Sequence, residues 1–351
     1  MGKNIVVFSD GTSQEGGLIR NTNVYKLFNM VEDRSENQIT FYDKGLGTGR
    51  RKISGAIFGR GMSKNILDCY RFIFDNYTVG DQVYLFGFSR GAATVRSLSG
   101  FIDQFGILPR SRPELIKRAY KIYQTPNHRK RDRKTREFLA LNHTMWCKIK
   151  FLGVWDTVAA LGTPIKLLDV LIDRIPKFRH RFHDFTLSRG VEHGRHALAI
   201  DDERLTFHPI VWDKEPNLDQ TIKQVWFCGM HSDVGGSYEE EELSSIPLIW
   251  MVTEAKERGL LIWPGNKVPV GPKANGTMHN SRTGFPGVIY RRRERSWNHT
   301  MDKNPTVHES VVMRTHNVNN EESPKYYPWI LQGDYEVEHW PKSQQDIDHL
   351  G

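Results

Sequence analysis

The chain lacks any apolar run approaching the roughly 20 residues that a membrane-spanning helix needs, so no helical membrane span is expected. It is also poor in cysteine. Cys69, Cys147 and Cys228 are odd in number and far apart in sequence, which argues against a disulfide scaffold and for buried thiols in a protein kept reduced. No apolar segment of the secretory kind follows the N-terminus, because Met1-Gly2-Lys3-Asn4 runs straight into the strand-like Ile5-Val6-Val7-Phe8. Gly2 does not signal myristoylation, since Val6 stands where that motif requires Ser or Thr. These absences predict a cytoplasmic protein.

What is present suits a large packed core. The 351 residues are 38% hydrophobic and 26% charged, a composition typical of a globular chain. The 49 basic against 41 acidic residues give +8, which favours anionic surfaces. Much of the excess is local, in Arg110 to Arg136 and in Arg291-Arg292-Arg293. A solvated face is one reading of these clusters, and a contact face for anionic lipid head groups is the other. Nucleic acid is the less favoured partner.

Short β-branched or aromatic runs alternate with helical patterns, the signature of a mainly parallel sheet with helices on both faces. The strands are expected at Ile5–Phe8, Gln38–Tyr42, Val83–Phe86, Ile149–Val154 and Gln224–Phe227, with a helix over about 63–77. Residues 110–147 form an expected basic, mostly helical insertion, and Leu167–Phe182 a second helical excursion. Residues 260–351, rich in Pro, Gly and Asn in their first part, are expected as an irregular extension packed on the core of a single domain spanning 1–351.

The chemistry centres on Gly87-Phe88-Ser89-Arg90-Gly91, between the apolar run Val83–Phe86 and the Ala-rich Ala92-Ala93-Thr94-Val95. Glycines two residues before and after a serine allow a cramped strand-to-helix turn that lifts the hydroxyl out of the sheet. A serine hydroxyl is a weak nucleophile and needs a histidine base oriented by a carboxylate. Asp156 follows the strand-like Lys150–Trp155, and His231 opens the glycine-bounded loop after Gln224–Gly229, giving the order Ser, Asp, His. Asp233 is a rival acid and His308 a rival base. Arg90 N–H is the first expected oxyanion donor, with Gly11 or Thr12 N–H as the second.

Phe8-Ser9-Asp10-Gly11-Thr12 is similar to the D-x-D-G-T loop of aspartate-nucleophile phosphatases, but Phe8 occupies the position of the nucleophile. That leaves Asp10 for orientation, or for a divalent cation shared with Asp233, a pair too poor in ligands to make a metal site by itself. No other cofactor is expected.

The blocks Phe8–Thr12, Gly87–Ala93, Phe151–Val158, Arg195–Arg204 and Val225–Gly236 together resemble an α/β-hydrolase domain family of uncharacterised role that includes the catalytic domain of type VI secretion phospholipase effectors. The resemblance implies an α/β-hydrolase-like fold, with Ser89, Asp156 and His231 as nucleophile, acid and base. It implies cleavage of a phospholipid acyl ester, and non-classical secretion if the chain serves as an effector. A non-lipid esterase or thioesterase remains an alternative, as does a silent basic module for anionic membrane or nucleic acid.

Overall fold

A computed structural model describes residues 2–11, 20–45, 55–158, 186–213, 216–263, 271–280, 292–297, 304–316 and 326–340. The expected excursion at Leu167–Phe182, together with Thr12 and Arg291, lies outside the described residues.

Among the described residues eight strands form one parallel sheet: β1 (Asn4–Ser9), β2 (Gln38–Asp43), β3 (Gln82–Phe88), β4 (Ile149–Trp155), β5 (Val191–Ala199), β6 (Thr221–Phe227), β7 (Thr306–His308) and β8 (Glu336–Glu338). Their order is β2-β1-β3-β4-β5-β6-β7-β8. After β1 the chain builds one edge, then returns past β1 and adds every later strand on the other side. The order therefore reverses between β1 and β3. In open parallel sheets the crevice outside the carboxyl ends of two such strands is where ligands bind.

Alternation along each strand makes the layers. Ile5, Val7, Val83 and Leu85 point to one face, where they pack with α2 (Gly55–Asn76) and α3 (Arg90–Phe105). Val6, Phe8, Tyr84 and Phe86 point to the other, against α1 (Asn23–Met30) and an apolar later helix that spans Glu242–Lys256. The expected α/β class, a mainly parallel sheet covered on both faces, is what the chain adopts.

The basic segment is helical, as α4 (Leu115–Tyr123) and α5 (His128–Leu141). Leu115, Ile116, Ala119, Tyr120, Tyr123 and Phe138 turn inward, and the basic side chains largely turn out. Two short helices follow strand ends, α6 (His231–Gly235) a few residues after β6 and α8 (Glu309–His316) directly after β7, and the Glu242–Lys256 helix between them is α7. The three cysteines are buried free thiols.

Two expectations are corrected. The region after residue 260 is not merely irregular, because β7 and β8 extend the sheet; at three residues each they are too short to show an alternating pattern. β5 was not expected at all. Its apolar pattern is broken by Arg195 and His196, yet both are buried, since Glu254 of α7 receives Arg195 Nε at 2.5 Å and His196 accepts the Thr157 N–H at 3.1 Å.

The glycines of the elbow are sites of close approach. A Cβ on Gly87 would lie 2.6 Å from the Gly91 carbonyl oxygen, and one on Gly91 only 1.9 Å from that of Ser9. Through Gly91, α3 rests directly on the end of β1. Gly91→Ala should therefore lower stability by about 1–3 kcal/mol in urea unfolding, the usual range for overpacking. Gly271→Ala, which meets open space, should be neutral in the same measurement.

Candidate active site

Three strand ends deliver three side chains to one point. Ser89 follows β3, Asp156 follows β4, and His231 follows β6 as the first residue of α6. Ser89 sits at φ 57°, ψ −119°, a conformation that a residue with a side chain adopts only under constraint. The constraint is visible: its N–H donates to the Trp155 carbonyl at 3.1 Å, and the glycines on either side leave no space for a relaxed turn. Asp156 is also held at positive φ, 37°.

The resulting relay is continuous. His231 Nε2 lies 2.8 Å from Ser89 Oγ, and His231 Nδ1 lies 2.6 Å from Asp156 Oδ2. With Nδ1–H donating to the carboxylate, Nε2 is left to accept the serine proton. The imidazole is gripped on two sides, by Phe88 at 4.6 Å between ring centroids and by Phe207 edge-on at 5.1 Å. Asp202 receives the His231 backbone N–H at 3.3 Å and is itself forked by Arg204, whose guanidinium stacks over Phe207.

Asp156 has no exposed surface. Burial by itself would push its carboxyl up, but Arg295 and His231 outweigh that and hold it well below the usual carboxylate range. Arg295 was missed in the sequence, where it follows Arg291-Arg292-Arg293 and reads as one more surface cation. It is fully buried and forks the carboxylate, Nη1 to Oδ1 at 2.6 Å and Nη2 to Oδ2 at 2.9 Å. Nothing in local sequence separates it from its exposed neighbour Arg292.

The other candidates fall outside the relay. His308 is buried at the end of β7, bonded through Nδ1 to Ser310 and stacked on Phe227; burial lowers it to about 3, so it is neutral there. Asp233 accepts the Met230 N–H and the His279 Nδ1 proton at 2.7 Å, bracing the turn that carries His231 without touching its ring. Asp10 is engaged separately by Thr22 Oγ1 at 2.5 Å, Tyr42 OH at 2.6 Å and the Gly11 N–H at 2.6 Å. Asp10 and Asp233 are thus held by separate sets of protein donors. Among the described residues no group of three or more His, Cys, Asp or Glu is arranged to hold a metal.

Gly11 lies beside the serine, since a Cβ built on it would be 3.6 Å from Ser89 Cβ. Its N–H is turned to the Asp10 carboxylate in this state. Arg90 provides the first backbone N–H of α3, at the positive end of the helix dipole.

A parallel sheet covered by helices on both faces, with these three side chains at its strand ends, is an α/β fold. Comparison with known proteins makes the assignment narrower. The chain belongs to the family described as "T6SS, Phospholipase effector Tle1-like, catalytic domain", whose sequence profile matches residues 3–254. An uncharacterized protein of Saccharomyces cerevisiae, YEL023C, is 30% identical over 257 residues, 66% of this chain; the chain spans only 36% of that relative. Two solved structures are also similar. One is an uncharacterized protein from Pseudomonas aeruginosa, 14% identical at a TM-score of 0.44, over 74% of this chain and 46% of that one. The other is the Tle1 effector bound to the VgrG spike of a type VI secretion system, 16% identical at 0.37, over 68% and 52%.

Asp10 generates a pH test. Burial outweighs its three donors and raises it to about 6, with Asp43 adding repulsion. A raised carboxyl favours the fold at low pH and loses that contribution as pH climbs through about 6. Asp10→Asn does not titrate. Its stability relative to the parent should improve by about 2 kcal/mol between about pH 4 and about pH 7.5, measured by urea unfolding at both. A pH-independent difference would mean that Asp10 has an ordinary pKa.

Proposed function

We propose that the protein is a serine carboxylic ester hydrolase of phospholipase A type. The observation that carries this reading is the Ser89–His231–Asp156 relay, at 2.8 and 2.6 Å, on a strained strand-to-helix turn. Family membership supports an acyl-ester lipid as its substrate. Ser89 Oγ attacks the acyl carbonyl while its proton passes to His231 Nε2, and Asp156 holds the imidazolium that forms. The oxyanion is received by the Arg90 N–H and by the Gly11 N–H once that swings from Asp10. Collapse expels the lysophospholipid alkoxide, which takes the proton back from His231. Water, deprotonated by the same histidine, then releases the fatty acid and restores Ser89.

Phospholipid vesicles treated with the protein should yield fatty acid and lysophospholipid in equal amounts by mass spectrometry. Ser89→Ala and His231→Gln should each lower the rate at least about 10³-fold, and Asp156→Asn by up to about 10⁴-fold. Unchanged release by folded Ser89→Ala would remove the mechanism. Equal turnover of monomeric and aggregated esters would favour the alternative of a non-lipid esterase or thioesterase.

A lipid substrate requires contact with a membrane, and α4 and α5 supply a face for it. Between residues 110 and 136 there are eleven Lys or Arg and two acidic residues. Lys117, Lys121, Arg129 and Lys130 are exposed, with no ion pair among the described residues. Gln124, just after α4, donates to Ser63 in the first half of α2 at 3.1 Å. That helix starts beyond the carboxyl end of β2, so the tip of the hairpin lies toward the sheet end that carries Ser89. The combined variant Lys121→Glu, Arg129→Glu, Lys130→Glu should lose co-sedimentation with phosphatidylglycerol vesicles, by about 1 kcal/mol or more per site. Its hydrolysis of a soluble ester should be unchanged. Equal binding to neutral phosphatidylcholine vesicles would refute an electrostatic contact.

A further inference from the structure

We infer that Arg295 is a positioning residue for this relay: it locks the Asp156 carboxylate against His231 and takes up part of its charge, so the working site extends past the residues matched to the family's catalytic domain. The inference rests on the proposed reading of Ser89, Asp156 and His231. The match ends at residue 254, and Arg295 lies well beyond it.

A guanidinium has five N–H donors, and all five of Arg295 are used. Nε donates to the Asp202 carbonyl at 3.1 Å. Nη1 donates to Asp156 Oδ1 at 2.6 Å and to the Ala199 carbonyl at 2.5 Å, and Nη2 to Asp156 Oδ2 at 2.9 Å and to the Phe207 carbonyl at 2.7 Å. One side chain therefore ties the acid after β4 to the end of β5 and to Phe207, which packs on the imidazole. The Ala199 N–H adds a bond to Asp156 Oδ1 at 3.1 Å, so the carboxylate has no freedom to rotate away from the histidine. A lysine could supply the charge without the fork.

The electrostatic consequence follows from Asp156 Oδ2, which is shared between Arg295 Nη2 and His231 Nδ1. Part of the negative charge that would stabilise an imidazolium is already engaged. Two carboxylates around His231 are each paired with an arginine: Asp156 with Arg295, from the ends of β4 and the 292–297 segment, and Asp202 with Arg204, from the loop after β5. Asp233, on α6 itself, is bonded to His279, which in turn lies 3.4 Å from Glu240. Removing Arg295 leaves one excess negative charge beside the ring and favours its protonation.

The test is a pH titration of the His231 ring by NMR on histidine-labelled full-length protein, with His231→Gln to assign the signal, alongside the pH–rate profile of p-nitrophenyl butyrate hydrolysis. Arg295→Met should move the His231 midpoint and the acidic limb of the rate profile to higher pH by about one unit, and lower the plateau at least tenfold. Arg295→Lys should leave the midpoint close to the parent's while the plateau still falls, which separates charge from fork. A folded Arg295→Met with the parent's midpoint would overturn the inference, and if that variant does not fold, an Arg295→Lys with the parent's plateau would do the same. Because the NMR midpoint needs no turnover, a protein that hydrolyses no ester but shows the shift would contradict the esterase reading and leave this inference standing.

Discussion

A carboxylate without any exposed surface stays ionised only if cations and N–H donors replace the water it has lost. Asp156 meets that condition through Arg295, His231 and the Ala199 N–H, and the arrangement of the site follows from it. Satisfying one carboxyl group requires the ends of β4 and β5, the first residue of α6 and a segment near residue 295 to meet in one place. The cost of burying the charge is offset only when they do. Removing one partner would leave the others as uncompensated buried groups, which is why such a cluster specifies a single arrangement more sharply than it stabilises the fold.

Around that cluster, close packing sets the position of the serine. Gly91 lets α3 touch the β1 end, Gly87 lets the turn close on itself, and the Trp155 carbonyl takes the Ser89 N–H. The same β4 end thus fixes the nucleophile candidate through Trp155 and the acid through Asp156. Strain of about 1–3 kcal/mol at a positive φ is tolerable when the surroundings determine it so fully. The strand order reverses at this point, so β1 contributes Asp10 and Gly11 to the same crevice.

Much of this was legible in the residues. Glycines two positions either side of Ser89, between an apolar run and an Ala-rich one, have few other readings, and Asp156 and His231 each stand just past a run that only a strand would use. Groups that act through distance were not legible. Arg295 lies 139 residues from Asp156 and is written like its exposed neighbours. β5 was concealed because buried Arg195 and His196 break its apolar pattern, and their partners Glu254 and Thr157 come from other elements. Gly11 lies beside Ser89, but the turn of its N–H toward Asp10 is a property of the folded loop and not of the motif. β7 and β8 are strands because β6 and β7 offer them an edge, and three residues hold too little pattern to reveal that.

The central claim is that Ser89 is the nucleophile made reactive by His231 and Asp156. Its most direct measurement is the site of covalent modification by a fluorophosphonate, located by peptide mass spectrometry on the native chain. The account predicts a single adduct on Ser89 whose formation is slowed by His231→Gln and by Asp156→Asn. An adduct on another residue, or ester hydrolysis that continues with Ser89 unmodified, would contradict it.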